Sequence, residues 1–266
     1  MTTIWTPSRR IWTPRSRQRG FVVLPAGLGA AGAPRNPNLD KLLALLHFNG
    51  ADAATTTVDS SPIGRSVSLV NSAQLDDAQF QFGPTSLRLI QASQSACLIT
   101  AAADLDVGTG DFTIRFWARK ASNGAGGSYR RLFQMINGDV VTGLSLADNR
   151  PNGNLSWSIS TNGSTQNIRS DFDAGAGFGL NTWTHFSIEQ FSGSVMLYVA
   201  GTRVDSVSLG GVKPFYSSTP WIIGGQSAGP NRTVDGWIDE FEYYKGVALA
   251  GGAASYTVPT EPSLPQ

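Results

Sequence analysis

A chain of 266 residues with 41% hydrophobic residues is long enough to build one large domain with a full core. Four glutamates and four lysines against 30 glycines exclude a mainly helical fold and favour short strands joined by tight turns. The net charge of +1 conceals an asymmetry, because residues 1–20 hold five arginines and no acid, so the rest of the chain sums to −4.

Residues 1–20 form a basic arm with a tandem repeat, Ile-Trp-Thr-Pro at 4–7 and again at 11–14. Tryptophan and arginine are the residues that most often dominate binding at protein interfaces. The arm is therefore predicted to dock on an acidic protein surface, and nucleic-acid binding or a solvated tail are the alternatives. The candidate docking residues are Trp5, Arg9, Arg10, Trp12, Arg15, Arg17 and Arg19.

Residues 21–40 are predicted to be a linker rich in glycine, alanine and proline. The apolar run at 21–33 follows basic residues and ends in Ala-x-Ala, much like a signal peptide. Pro25 and three glycines interrupt that run, which favours a linker over a leader. The run is also too short and too broken to span a membrane.

Residues 41–266 alternate apolar runs with turn-rich stretches, the spacing of a β-sandwich or jelly roll. Phe112 to Arg119 has the clearest period of two, and it predicts one core-facing side of the strand. The residues from Ala200 to Arg203 predict a hairpin turn. The single cysteine, Cys97, lies in an apolar run and is predicted to be a buried hydrophobic residue. About a dozen strands are predicted, at 42–48, 67–70, 87–90, 98–100, 112–119, 132–136, 155–159, 183–189, 195–199, 204–209, 221–223 and 236–244.

Six short segments in this body, taken in order, resemble a LamG-like jelly-roll domain of the concanavalin A-like lectin/glucanase group. The resemblance runs from about Leu42 to Pro262 and implies a two-sheet antiparallel sandwich. The family usually has an acid where Arg115 stands and an Asp where Ala200 stands, departures expected to affect a surface and a turn. The six segments are Leu-His-Phe-Asn-Gly at 46–50 followed by Asp-Ser-Ser at 59–61, Phe-Gly-Pro-Thr-Ser-Leu at 82–87, Gly-Asp-Phe-Thr-Ile-Arg-Phe-Trp at 110–117, Trp-Thr-His at 183–185, Leu-Tyr-Val-Ala-Gly at 197–201 and Gly-Trp-Ile-Asp-Glu-Phe at 236–241.

Glycoside hydrolysis is the enzymatic alternative, because one branch of this fold group performs it. A retaining mechanism needs two carboxyl groups about 5 Å apart. The only comparable sequence cluster is Asp239-Glu240-Phe241-Glu242, and the first Glu of the hydrolase pattern would fall on Trp237 or Ile238. Asp239 and Glu240 are therefore predicted to hold turns or a neighbouring arginine, and the protein is predicted not to be an enzyme.

No cofactor is predicted, although relatives often carry a structural Ca²⁺ with oxygen ligands. By resemblance, Asn49, Asp59 and Asp239 are the residues that would approach such an ion. A zinc site is excluded, because His47, His185 and Cys97 lie on separate strands without paired spacing.

Carbohydrate binding would use loops at the edges of the sandwich. The loop at 171–179 and the segment at 213–216 offer aromatic rings beside polar groups, a combination that suits sugars. The alternative is that Phe178 and Phe215 anchor their loops in the core. The candidate sugar-binding residues are Phe172, Phe178, Phe215 and Tyr216.

Domains of this kind are frequent in tailed-bacteriophage virion proteins, where an unrelated N-terminal segment joins the particle. The resemblance thus implies a non-enzymatic virion protein, assembled in the bacterial cytoplasm, with its arm bound to other virion proteins. Two placements on the virion are alternatives: a tail-fibre or tail-tip component that adheres to host glycan, or a head decoration protein. A hydrolase or a free carbohydrate-binding module are further alternatives. A homo-oligomer, a trimer by analogy, is expected.

Overall fold

The computed structural model describes residues 36–123, 129–135, 143–149, 154–168, 178–225 and 232–264. All of them belong to one compact unit, Pro34–Gln266. Fourteen strands are present in these ranges, together with single 3₁₀ turns at Leu39–Lys41, Gln91–Ser93 and Ala103–Leu105. The strands are β1 (Leu42–Leu46), β2 (Val67–Val70), β3 (Gln74–Asp76), β4 (Ser86–Leu89), β5 (Ala96–Ile99), β6 (Phe112–Lys120), β7 (Arg130–Gln134), β8 (Leu144–Asn149), β9 (Asn154–Ile159), β10 (Trp183–Phe191), β11 (Ser194–Val199), β12 (Thr202–Ser208), β13 (Trp221–Ile223) and β14 (Gly236–Lys245).

The strands form two antiparallel sheets, which confirms the predicted sandwich. The large sheet has eight strands in the order β12-β11-β10-β6-β14-β4-β3, with β1 also paired to β14. The small sheet has six strands in the order β2-β5-β13-β7-β8-β9. Within the described ranges, no helix is long and apolar enough to cross a membrane.

The core lies between the sheets and follows from the period of two in the strands. On β6, Phe112, Ile114, Phe116 and Ala118 are fully buried, as the alternation predicts. Aromatic rings join the layers, because the Phe241 ring on the large sheet lies 5.6 Å from the Phe133 ring on the small sheet. Each such aromatic pair adds about 0.5–1.5 kcal/mol beyond its burial.

Cys97 is fully buried in β5, as predicted. Burial raises the pKa of its thiol, so the thiolate that reacts with oxidants and metals is disfavoured. Its role is therefore that of a small core hydrophobe.

The predicted hairpin joins β11 to β12 through a two-residue turn, Ala200-Gly201. Both residues have positive φ, 48° and 79°, which is the conformation of a type I′ turn that matches the twist of the flanking strands. A side chain at Gly201 would lie 2.5 Å from the Tyr256 carbonyl oxygen, so glycine also lets the C-terminal segment pass close by.

A β-bulge in β14 positions the carboxylates of the 239–242 cluster. The pairing with β6 shifts between Asp239 and Glu242, and Glu240 has a φ of 49°. The extra residue places Asp239 and Glu240 on the same, outward side, while Phe241 stays in the core. Before the bulge β14 pairs with β4, and after it β14 pairs with β1.

Candidate functional site

The outward face of the large sheet carries a row of aromatic and basic side chains in direct register. Trp183 on β10 lies opposite Arg119 on β6, and Arg119 lies opposite Trp237 on β14. Trp237 in turn lies opposite Arg88 on β4. These four partly exposed residues, here called the Trp–Arg ladder, cross four neighbouring strands, so the row is about 14 Å long at the usual strand spacing.

The two guanidinium groups of the ladder pack on one tryptophan. Cζ of Arg88 lies 4.6 Å from the centroid of the Trp237 ring, and Cζ of Arg119 lies 5.3 Å from it. The indole Nε1 donates a hydrogen bond to Asp76 Oδ2 at 3.0 Å, which fixes the ring. Such cation–π contacts stabilise by about 0.5–2 kcal/mol and hold the arginines at defined positions.

More aromatic surface adjoins the ladder one row further along the strands. Trp117 on β6 makes edge contacts with Phe82 at 6.0 Å and with His185 at 5.1 Å. The Phe80 side chain, two residues before Phe82, is 44% exposed. This end of the outward face therefore combines aromatic rings with cationic groups that reach solvent.

The other end of the outward face is covered by the C-terminal segment, residues 246–264. Leu249 N donates to Thr113 Oγ1 at 3.0 Å, and Ala250 N donates to Glu189 Oε2 at 2.9 Å. Ser263 N donates to Glu240 Oε2 at 3.1 Å. The segment thus satisfies polar groups of the sheet that would otherwise face solvent.

Beneath this segment, Arg115 and Glu242 form a two-pronged ion pair. Arg115 Nε and Nη2 donate to the two carboxylate oxygens at 3.0 and 2.8 Å. The Tyr244 hydroxyl donates to Glu242 Oε2 at 2.5 Å. The Arg115 side chain is 17% exposed and borders a cavity of about 510 Å³ that is also lined by residues 259–264.

The remaining carboxylates of the bulge accept hydrogen bonds from backbone N–H groups and from one histidine. Asp239 Oδ2 accepts N–H groups of Gln81 and Phe82 at 2.8 and 3.0 Å, so it holds that turn as the sequence predicted. Its burial raises the pKa of Asp239 to about 7, against the lowering effect of these bonds. Glu240 Oε1 accepts a hydrogen bond from His47 Nδ1 at 2.7 Å.

The two histidines have shifted pKa values of opposite sign. Burial, with a smaller contribution from Arg115, lowers the pKa of His185 to about 3. Burial also disfavours the charged form of His47, but the Glu240 carboxylate outweighs it and raises the pKa of that ring.

These shifts predict opposite pH dependences of stability. The folded-state pKa of His185 lies below the ordinary 6.5, so its contribution is full above pH 6.5 and is lost as the pH falls towards 3. This effect lowers the free energy of unfolding of the unchanged protein by about 2 kcal/mol between pH 7.5 and pH 5, and we expect His185→Asn to abolish that decrease. The contribution of His47 is full below pH 6.5 and is lost as the pH rises, so His47→Asn should change the profile in the opposite sense.

Urea unfolding of both variants at pH 7.5 and pH 5, followed by tryptophan fluorescence, measures these differences. Parallel profiles for the two variants and the unchanged protein would contradict the assignment of either charge state.

Three of the four predicted sugar-binding residues, Phe178, Phe215 and Tyr216, are described by the structure, and they pack on the core or on other loops. Phe172 lies outside the described residues. Phe178 is 2% exposed and packs at 5.4 Å on Phe186, so the alternative of a core anchor replaces sugar binding for this residue. Phe215 and Tyr216 are partly buried, and the Tyr216 hydroxyl donates to Ala102 O at 2.7 Å, which ties two loops together.

The arm residues, Trp5 to Arg19, also lie outside the described residues, and their docking role stays a prediction. The ladder was missed from sequence, because its members lie on four strands whose pairing is not sequential. The period of two in β6 does predict that Trp117 and Arg119 face away from the core, on the side opposite Phe116 and Ala118.

Asp59 and Asp239, two of the three residues suggested for calcium, accept hydrogen bonds within the protein. Asp59 Oδ1 accepts N–H groups of Leu45 and Ser61, and Oδ2 accepts N–H of Arg65 at 2.8 Å, so this carboxylate organises a turn. Another acidic group, at Asp52, Asp76 and Asp77, brings carboxylate oxygens within 4.8 Å of one another. Exposed acidic groups of this kind are common without an ion.

Two stacked antiparallel sheets around one core define a jelly-roll sandwich. A family model of the concanavalin A-like lectin/glucanases superfamily matches residues 92–250, more than half of the chain. The protein belongs to this superfamily. No curated protein matches the chain.

Several solved structures share the fold. The binding domain of botulinum neurotoxin serotype D has a TM-score of 0.60 at 16% identity, covering 79% of this chain and 49% of that one. The binding domain of Paraclostridial Mosquitocidal Protein 1 has a TM-score of 0.58 at 19% identity, covering 78% and 49%. Domain 4 of AbnA, an arabinanase from Geobacillus stearothermophilus in complex with arabinotriose, has a TM-score of 0.58 at 16% identity, covering 77% and 93%. The chain spans about half the length of the two toxin domains, and at these identities the likeness shows the fold alone.

Proposed function

We propose that the protein is a non-enzymatic glycan-binding protein that uses the outward face of its large sheet. The Trp–Arg ladder carries this proposal, because it offers aromatic surface and fixed hydrogen-bond donors in a row suited to an extended oligosaccharide. The complex of AbnA domain 4 with arabinotriose is consistent with sugar binding on such a sandwich.

The absence of catalysis is supported by how the candidate carboxylates are used. Asp239, Glu240 and Glu242 are at most 2% exposed, and each accepts hydrogen bonds from the protein. A retaining hydrolase needs one such group free to attack the sugar and another free to donate a proton. These three carboxylates stabilise the bulge and the C-terminal segment instead.

Binding of the full-length protein to an array of neutral and acidic glycans tests this proposal. Trp183→Ala should weaken binding several-fold, since an aromatic side chain at an interface centre contributes about 1 kcal/mol or more. Ile63→Ala, at a 49% exposed site away from the ladder, is the control. Binding that survives Trp183→Ala unchanged, or release of new reducing ends from a bound glycan, would count against the proposal.

We further propose that the protein is a component of a bacteriophage virion, placed at the tail fibre or tail tip and joined to the particle by its basic arm. Head decoration is the second placement. The support comes from the sequence: two Ile-Trp-Thr-Pro units with five arginines precede a lectin-type sandwich. A homo-oligomer fits this role, since virion appendages are commonly cyclic.

Capture of virion proteins from a particle lysate tests the anchor. A full-length variant with Arg9, Arg10, Arg15, Arg17 and Arg19 changed to Gln should lose capture of a tail or head protein while circular dichroism stays unchanged. The identity of the captured protein decides between the two placements. Equal capture by both forms would exclude the arm as the anchor.

A further inference from the structure

We propose that the Trp–Arg ladder recognises the carboxylate groups of an acidic glycan, such as a polymer containing uronic acids, and that Arg119 binds the carboxylate. This inference rests on the proposed glycan-binding function and names the class of glycan. It follows from how the charges of the ladder are distributed.

The two arginines of the ladder differ in how their charge is neutralised. Arg88 Nη2 donates to Asp235 Oδ1 at 2.9 Å, and its Nη1 donates to the carbonyl oxygens of Gly236 and Leu89. Among the described residues, the polar partner of the Arg119 side chain is the neutral amide oxygen of Asn181, at 3.0 Å. Within the described part of the chain, Arg119 thus has no carboxylate partner, and several of its N–H donors face no acceptor.

Among the described residues, the acidic groups beside the ladder are hydrogen-bonded to Trp237 and Arg88 rather than to Arg119. Asp76 accepts the indole N–H of Trp237, and Asp235 uses its second oxygen to accept the hydroxyl of Ser122 at 2.7 Å. On the β10 side, Arg119 faces Trp183 and Asn181, which are uncharged. Lys120, the next residue, points into the protein and pairs with Asp148. The field at Arg119 therefore favours an anion.

The packing of Trp237 argues against simple stacking of a neutral sugar. Both arginines of the ladder place their guanidinium carbons within 5.3 Å of its ring centroid, so the groups beside the ring are cationic. Trp237 also holds the Arg119 guanidinium in place before a ligand arrives. A fixed planar guanidinium matches a carboxylate through two parallel N–H···O bonds, a geometry that lysine does not provide.

Calorimetric titration of the full-length protein with oligogalacturonate and with its fully methyl-esterified form tests this inference. The two ligands share the same sugars, and esterification removes the charge. We expect binding of the acid, with weak or no binding of the ester, and a decrease in affinity with added salt. Arg119→Gln should lower affinity for the acid by roughly 10- to 100-fold, the loss of a charge-assisted hydrogen bond.

The variants separate charge from geometry. Arg119→Lys should recover part of the affinity lost in Arg119→Gln. The control is Lys41→Gln, which removes a positive charge from a 45% exposed side chain that is not part of the ladder, and it should leave affinity unchanged. Equal binding of acid and ester, or equal binding by Arg119→Gln, overturns the inference and leaves glycan binding standing. Binding of neither ligand overturns the inference, and a blank result on the glycan array would overturn the proposed function with it.

Discussion

Replacing Asp148 with alanine is expected to lower the free energy of unfolding by about 3–5 kcal/mol. Asp148 on β8 is fully buried and accepts two hydrogen bonds from Lys120 Nζ on β6, at 3.1 and 3.2 Å. Arg130 Nη1 lies 3.9 Å from the same carboxylate. The alanine variant leaves the Lys120 ammonium, 2% exposed, without its counter-charge in a medium that solvates ions poorly.

Urea unfolding measures this loss, and Lys120→Met is the matched comparison. Methionine removes one cation and keeps an apolar stem of similar length, while Asp148 keeps Arg130 nearby. We therefore expect Lys120→Met to cost less than Asp148→Ala. An Asp148→Ala cost within the range of a surface substitution, about 0.5 kcal/mol, would show that this pair does not join the two sheets.

Replacing Arg115 with methionine is expected to cost a similar amount, about 3–5 kcal/mol. The change leaves Glu242, whose side chain is 3% exposed, without the guanidinium that binds both of its oxygens. It also removes the contact at 3.5 Å with Ser263 Oγ, so the C-terminal segment should become more susceptible to proteolysis.

A double-mutant cycle separates this charge effect from simple loss of packing. Glu242→Gln in the Arg115→Met background removes the buried charge, and it should restore a large part of the lost stability. Additive costs in the double variant would mean that the two groups do not interact across the sheet.

The alternation of β6 predicted its core side residue by residue, because side-chain direction in a strand follows directly from sequence position. Polar residues inside the core hid other strands. No strand was predicted at β8, where Ser145 and Asp148 interrupt the apolar residues. Both are nevertheless buried: Ser145 Oγ lies 2.8 Å from Ser158 Oγ, and Asp148 pairs with Lys120. The three-residue β3 was missed because it has one apolar residue, Leu75, between Gln74 and Asp76, whereas the equally short β13 is apolar throughout.

The candidate site was less predictable than the fold. The Trp–Arg ladder depends on which strands are neighbours, and β4, β6, β10 and β14 are far apart in sequence. The position of the C-terminal segment over the sheet could not be predicted either, because its hydrogen bonds to Thr113, Glu189 and Glu240 are donated by its backbone and need no sequence motif. The sequence did predict that Asp239 holds a turn, because the resemblance covered those residues.

The central position of β14 has a consequence for how the chain folds during synthesis. The strand pairs with β6, β4 and β1, and it is translated after all of them. Until residue 245 has left the ribosome, those three strands have unpaired edges, which favour association with other chains. Nascent chains should therefore remain dependent on chaperones until β14 has been translated, and shortened chains that stop before β14 should aggregate rather than form a smaller folded domain.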